Sequence, residues 1–130
     1  MNYALLVMSS PASGACAGTA ARFARALLDA GHHIQRVFFM DEGVNCASTL
    51  AVFPQDESAP LQAWVELAEQ HRIELVLCVT SALRYGILDD GEARRHERPA
   101  ASIHPSFTIS GLGQLVDAVA GSDRLVTFGG

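Results

Sequence analysis

The chain has 130 residues, of which 9 are basic and 14 acidic, so its formal net charge is −5. This balance argues against a nucleic-acid-binding surface, which needs a basic stripe. A content of 49% hydrophobic and 18% charged residues also excludes a disordered segment. The composition predicts one domain over residues 1–130, with an aliphatic and alanine-rich core because only 7% of the residues are aromatic.

The sequence gives little support for a membrane protein, an exported protein or a metal-binding protein. The longest apolar runs, Tyr3–Met8 and Leu75–Val79, are far shorter than the roughly 20 residues of a spanning helix. No basic segment typical of a signal peptide follows Met1. The three cysteines lack CxxC spacing, and none of the five histidines stands in HxxxH or HExxH spacing. We therefore expect a cytoplasmic protein without a membrane anchor, a metal or an organic cofactor.

The first forty residues predict a strand, a helix and a second strand. Tyr3–Met8 is a continuous apolar run, typical of a strand buried on both faces. A stripe at i, i+3, i+4 and i+7 predicts a helix that ends before Gly31. The second strand is expected over Ile34–Met40. The stripe consists of Ala20, Phe23, Ala24 and Leu27.

The pattern repeats in the middle of the chain after the mixed segment Asp41–Val52. Ser58 and Pro60 are typical of a helix start, and the same apolar spacing follows at Leu61, Trp64, Val65 and Ala68. Ile73–Val79 is the third predicted strand. A short amphipathic piece, Ser81–Tyr85, then ends at Gly86.

The last third of the chain has weaker signals. Leu88–Ser106 is polar and shows no periodicity apart from one helical turn at Glu92–Arg95. Ser110 is expected to cap a helix that has Leu112, Leu115, Val116 and Val119 on one face, and Arg124–Phe128 is the final predicted strand. The order of elements predicts a doubly wound α/β fold with a mostly parallel sheet of about five strands and helices on both faces.

The carboxyl ends of the strands, near the switch in strand order, are where such folds place their sites. Three segments qualify: Ser9–Gly18, Asp41–Ala47 and Cys78–Ser81. Cys78 ends an apolar strand, and the residues after it can begin a helix whose free N–H groups favour the thiolate. A thiolate attacks sulfur, so Cys78 could accept and pass on a persulfide. On position alone, a small buried hydrophobe is the simpler interpretation of this residue.

The other candidate groups have structural interpretations that we favour. Cys16 is expected in the first turn of the first helix, where neighbouring alanines suggest packing, and Cys46 falls in a polar loop where it could be exposed and oxidisable. The loop Ser9–Gly18 could cradle a phosphate, yet it has no Walker lysine. No GxSxG elbow is present. The mixed charges of Asp89–Arg98 are typical of a solvated face.

Two motifs stand out in the second half of the chain: Cys78-Val-Thr-Ser-Ala-Leu-Arg84 and Phe107-Thr-Ile-Ser-Gly-Leu-Gly113. With Glu42-Gly-Val44, they resemble the DsrE-like sulfurtransferase family and, within it, the TusD-type subunits. The resemblance extends over the whole chain. In that family the cysteine of the first motif carries the persulfide, and it corresponds to Cys78 here. The resemblance thus implies a catalytic Cys78, whereas Cys16 and Cys46 inherit no role.

The resemblance also implies partners. It suggests a heterohexamer with TusB-like and TusC-like subunits, a TusA-like sulfur donor and a TusE-like (DsrC-like) acceptor that serves 2-thiolation of the tRNA wobble uridine. The acidic charge agrees with contact to carrier proteins and not to tRNA itself. Three alternatives stay open: a DsrE-type subunit of sulfur oxidation, a non-catalytic structural subunit of a related hexamer, and a flavodoxin-like binder that uses Ser9–Gly18 for a phosphate.

Overall fold

Five strands and five α-helices alternate along the chain in the computed structural model, which describes residues 1–12, 16–55, 57 and 59–129. The strands are β1 (Asn2–Val7), β2 (His33–Phe39), β3 (Leu75–Cys78), β4 (Phe107–Ser110) and β5 (Arg124–Phe128). The helices are α1 (Cys16–Asp29), α2 (Pro60–His71), α3 (Val79–Arg84), α4 (Asp90–Arg95) and α5 (Gly113–Ala120), and a 3₁₀ helix covers Asp41–Ala47.

The strands form one parallel sheet in the order β4-β3-β2-β1-β5. The chain steps from β1 to β4 in one direction and then returns to place β5 on the free side of β1. The switch in strand order therefore lies between β1 and β5. This arrangement confirms the predicted α/β class and the parallel sheet.

Both faces of the sheet are covered, but unequally. One face packs against α1 and α2 and holds the larger core, in which the rings of Phe39 and Trp64 meet edge to face at 5.3 Å between centroids. The other face holds a small cluster of Phe38, Val76 and Cys78, with Leu115 of α5 packed against it. Leu115 is the only helical residue in this cluster among the residues that the structure describes.

The predicted role of Ser110 as a helix cap is wrong. Ser110 is the last residue of β4, where it pairs with Cys78, and Leu112 occupies the N-cap position of α5 without a side-chain capping bond. The strand β4 was not predicted, because four residues beside a polar segment give too little alternation. Its pairing with β3 is a tertiary effect, and a local pattern cannot reveal such an effect.

The apolar face predicted for α5 is left largely exposed. Leu112, Val116 and Val119 are 52%, 66% and 40% exposed, whereas Ala118 is 1% exposed. The helix presents its small Ala118 to the sheet, and Leu115 is only partly buried. Val116 lies roughly opposite Ala118 around the helix and therefore faces outward. An apolar surface is left uncovered on this side of the chain.

Smaller differences concern the ends of elements. The third strand ends at Cys78 because Val79 already begins α3, and the mixed segment after β2 forms the 3₁₀ helix, in which Gly43, Val44, Cys46 and Ala47 are buried. The predicted start of α2 at Ser58 lies outside the described residues, and the helix begins at Pro60. Within the described ranges, no helix has the length and apolar character needed to cross a bilayer.

Candidate functional site

Cys78 occupies the point where β3 passes directly into α3. It is the last residue of the strand and the N-cap residue of the helix, as the sequence predicted. Its side chain makes no capping hydrogen bond with the helix, which is only six residues long. The residue is 4% exposed. The thiol is thus well placed by the backbone but covered in the isolated chain.

The side chains around Cys78 are apolar. Phe38 and Val76 lie on the same face of the sheet, and Leu6, Met40 and Leu115 pack against this group. A reacting partner must therefore displace part of this cover before it meets the thiol.

One side-chain hydrogen bond fixes the backbone beside Cys78. The Ser81 hydroxyl, 5% exposed, accepts the backbone N–H of Asp41 at 2.9 Å, which ties α3 to the 3₁₀ helix. Asp41 has a φ of 50°, in the left-handed region that is costly for a residue other than glycine. This bond holds the turn between β2 and the 3₁₀ helix in its strained conformation. In the sequence, Ser81 is recognisable only as part of a helix start, because its partner Asp41 is 40 residues away.

Gly43 allows the 3₁₀ helix to lie directly on the end of β1. A Cβ atom at this position would overlap with the backbone carbonyl oxygen of Val7. The same carbonyl accepts the N–H of Met40 at 3.1 Å. The Glu42-Gly-Val44 motif was the available signal for this close approach, although its physical reason emerges only from the packing.

Cys16 lies apart from Cys78. It begins α1, on the opposite face of the sheet from α5, and its thiol donates to the carbonyl oxygen of Gly129 at 3.5 Å. This position is beside the ends of β1 and β5, at the switch in strand order. The strand-order rule therefore points to the Ser9–Gly18 segment more than to Cys78. Residues 13–15 of that segment lie outside the described residues, so the predicted phosphate loop has no structural account.

Cys46 is not the exposed thiol that its polar loop suggested. It is 1% exposed within the larger core, and burial raises the pKa of its thiol from 9.0 to about 12. The preceding strand turns into a 3₁₀ helix that directs this side chain inward. A thiol with this pKa stays protonated and unreactive at neutral pH.

The polar stretch Leu88–Ser106 is folded against the same end of the sheet. Asp89 caps α4 by accepting the N–H of Glu92 at 2.8 Å, and Thr49 donates its backbone N–H to the carbonyl of Ser102 at 2.8 Å. This segment lines one side of an open pocket of about 300 Å³ whose lining does not include Cys78. In the part of the chain that the structure covers, no group of three or more His, Cys, Asp or Glu side chains could hold a metal ion. The pocket residues are Leu50, Leu83, Gly86, Leu88, His96, Arg98, Pro99, Ala100 and Ser102.

Comparison with known proteins assigns the family. The model of the DsrE/DsrF-like family matches residues 1–128. The chain belongs to this family. It is 47% identical over 99% of both chains to the protein named DsrE of Allochromatium vinosum. It is 48% identical to the sulfurtransferase TusD of Serratia proteamaculans, over 95% of this chain and 96% of that protein.

A solved structure supports the fold. The ychN protein of Escherichia coli superposes with a TM-score of 0.75 over 98% of this chain and all of that one, at 20% identity. At 20% identity, this comparison supports the fold and says nothing about function. Sulfur transfer is the activity that the curated relatives support, and they divide between the TusD and DsrE names at nearly equal identity.

Proposed function

We propose that this sulfurtransferase uses Cys78 as a transient persulfide carrier in a sulfur relay. In this proposal a TusA-like donor loads Cys78 and a TusE-like (DsrC-like) acceptor takes the sulfur for 2-thiolation of the tRNA wobble uridine. The observation that carries the proposal is the position of Cys78. The motif cysteine of the resemblance is the residue at the carboxyl end of β3, beside a turn held by a side-chain hydrogen bond.

The chemistry is a balanced exchange between sulfur atoms. The Cys78 thiolate attacks the outer sulfur of the donor persulfide; the sulfur–sulfur bond of the donor breaks as a new one forms to Cys78, and the donor leaves as a thiolate. The acceptor thiolate then repeats this attack on the outer sulfur of the Cys78 persulfide. No net oxidation occurs, so neither step requires an external oxidant or a metal.

Hetero-oligomeric assembly is part of the proposal. The outward face of α5 exposes Leu112, Val116 and Val119, and Leu125 of β5 is 43% exposed. Exposed apolar side chains of this number are typical of protein contacts, and TusB-like and TusC-like subunits would cover them. Coexpression with such subunits followed by sizing should yield a heterohexamer, and a chain that elutes alone would contradict this assignment.

The decisive experiment is mass spectrometry after incubation with a persulfidated TusA-like donor. Wild-type chain should gain roughly 32 Da, one sulfur atom, and Cys78→Ser should gain nothing. Cys16→Ser is the matched control, because it removes the partly exposed thiol and should keep the adduct. An adduct that survives in Cys78→Ser, or is lost in Cys16→Ser, would overturn the assignment.

A DsrE-type role in sulfur oxidation is the second candidate, because the relative named DsrE covers 99% of this chain at 47% identity. The two roles differ in partners, not in the chemistry at Cys78. Neighbouring reading frames of the sulfite-reductase type would favour sulfur oxidation, whereas thiolation enzymes of tRNA would favour the relay.

A structural role without catalysis predicts a different result from the relay role and the sulfur-oxidation role. A non-catalytic subunit would keep both assembly and cellular thiolation in Cys78→Ser. The carrier proposal predicts that the same variant assembles normally, because serine fills nearly the same volume, but that thiolation is lost. Measuring the two properties on one variant separates the roles.

A further inference from the structure

Access to Cys78 is limited by the side chains packed around it. The residue is 4% exposed, although a donor persulfide must bring its outer sulfur into contact with the thiol. Leu115 of α5 packs against the Cys78 cluster. Because the other cluster residues belong to strands or to Met40 at the end of β2, displacement of α5 removes the helical part of this cover.

Arg36 fastens the first turn of α5. It lies on β2 and is 9% exposed, and its Nη1 donates to the backbone carbonyl of Gln114, the neighbour of Leu115, at 2.8 Å. Its Nε and Nη2 donate to Glu74, just before β3, at 2.9 and 2.8 Å. One guanidinium thus links the residue that precedes β3 to the first turn of α5.

The other end of α5 is anchored separately. Asn2 donates its side-chain amide to the carbonyl of Gly121 at 2.9 Å, and the Ser122 hydroxyl donates to the carbonyl of Ala118. The outward face of the helix has no such support, since Val116 is 66% exposed. Loss of the Arg36 contact would free the first turn while the last turn stays attached.

We propose that Arg36 is a positioning residue that keeps α5 closed over Cys78, so that release of Gln114 from Arg36 exposes the thiol to a sulfur donor. The inference rests on the proposed carrier role of Cys78, and it adds a control of access to that site. It requires no new chemistry, because the change is the exchange of one hydrogen bond for water.

Alkylation of the cysteines tests the proposal in a Cys16→Ser background. The chain is treated with N-ethylmaleimide, and labelling of Cys78 and Cys46 is followed by peptide mass spectrometry. Arg36→Met keeps the apolar stem but loses all three bonds, and it should label Cys78 about tenfold faster, the factor expected for one charge-assisted hydrogen bond. Labelling of Cys46, buried in the other core, should not change.

Two further variants sharpen the test. Glu74→Gln keeps the bond to Gln114 and removes an ion pair whose acid is 61% exposed, so Cys78 labelling should rise less than about threefold. Arg22→Met is the matched control. Arg22 is exposed on α1, on the opposite face of the sheet, so its replacement should leave the rate of Cys78 labelling unchanged.

The two labelling rates distinguish local opening of α5 from global unfolding. Equal acceleration of Cys78 and Cys46 in Arg36→Met would mean global unfolding and would overturn the proposal. An unchanged Cys78 rate would show that Arg36 does not hold the cover in place. Alkylation needs no sulfur donor, so these results stand apart from persulfide loading. A failure of the carrier role would appear only in the donor experiment.

Discussion

Replacement of Gly43 by alanine should destabilise the protein through a collision between backbone elements. The new Cβ atom would overlap with the carbonyl oxygen of Val7 and lie 2.8 Å from its carbonyl carbon, and Met8 Cα would be at 3.2 Å. These obstacles are backbone atoms at the end of a central strand, so no side-chain rotation can relieve them. The 3₁₀ helix must move away from β1 instead.

The expected magnitude follows from two opposing effects. Overpacking of this severity costs about 3 kcal/mol, and the lower entropy of the unfolded alanine chain offsets up to about 1 kcal/mol. The net loss should be about 2 kcal/mol, a large part of the roughly 5–15 kcal/mol that stabilises a domain. Gly91→Ala in α4 is the matched control, because its Cβ would meet only Asp89 Oδ1 at 3.6 Å, an ordinary contact.

Urea unfolding followed by tryptophan fluorescence measures both variants. Trp64 is the single tryptophan and is fully buried against Phe39, so its emission reports loss of the larger core. Gly91→Ala should equal or exceed the wild type in stability by up to about 1 kcal/mol. A Gly43→Ala protein within about 0.5 kcal/mol of the wild type would refute the close approach of the 3₁₀ helix to β1.

Two further predictions concern Ser81 and the buried Cys46. Ser81→Ala leaves the Asp41 N–H without its acceptor and should cost about 1–2 kcal/mol in the same urea titration, and no measurable loss would contradict the proposed fastening of α3. The pKa of Cys46 is about 12 in the fold, so the native state keeps its proton after the unfolded chain begins to lose it near pH 9. The free energy of unfolding should therefore be unaffected by this thiol below pH 9 and should fall by up to about 1.4 kcal/mol per pH unit above it. A fall of the same steepness in Cys46→Ala would contradict the assignment.

The long elements and the candidate thiol could be predicted from the sequence. Apolar runs and helical stripes have periods that local geometry imposes, so β1, α1 and β2 were expected near their true bounds. Cys78 was found because a strand end is visible as the end of an apolar run. The persulfide role itself came from the resemblance, since position alone favoured a buried hydrophobe.

What the sequence could not supply are features that depend on packing between distant segments. The strand β4 exists because it pairs with β3, and α5 faces the sheet through Ala118 because a small residue allows close approach there. The contacts of Arg36 join residues up to 78 positions apart. No local pattern records such contacts, although they determine how Cys78 is held and covered.

A single-turnover experiment with an isotopically labelled donor tests the central claim most directly. Donor persulfide carrying heavy sulfur is mixed with the chain and a TusE-like acceptor, and the reaction is quenched at successive times for peptide mass spectrometry. The label should appear on Cys78 first and then pass to the acceptor at a matching rate. Label that reaches the acceptor without passing through Cys78, or remains on Cys78 while the acceptor fills, would contradict the carrier role.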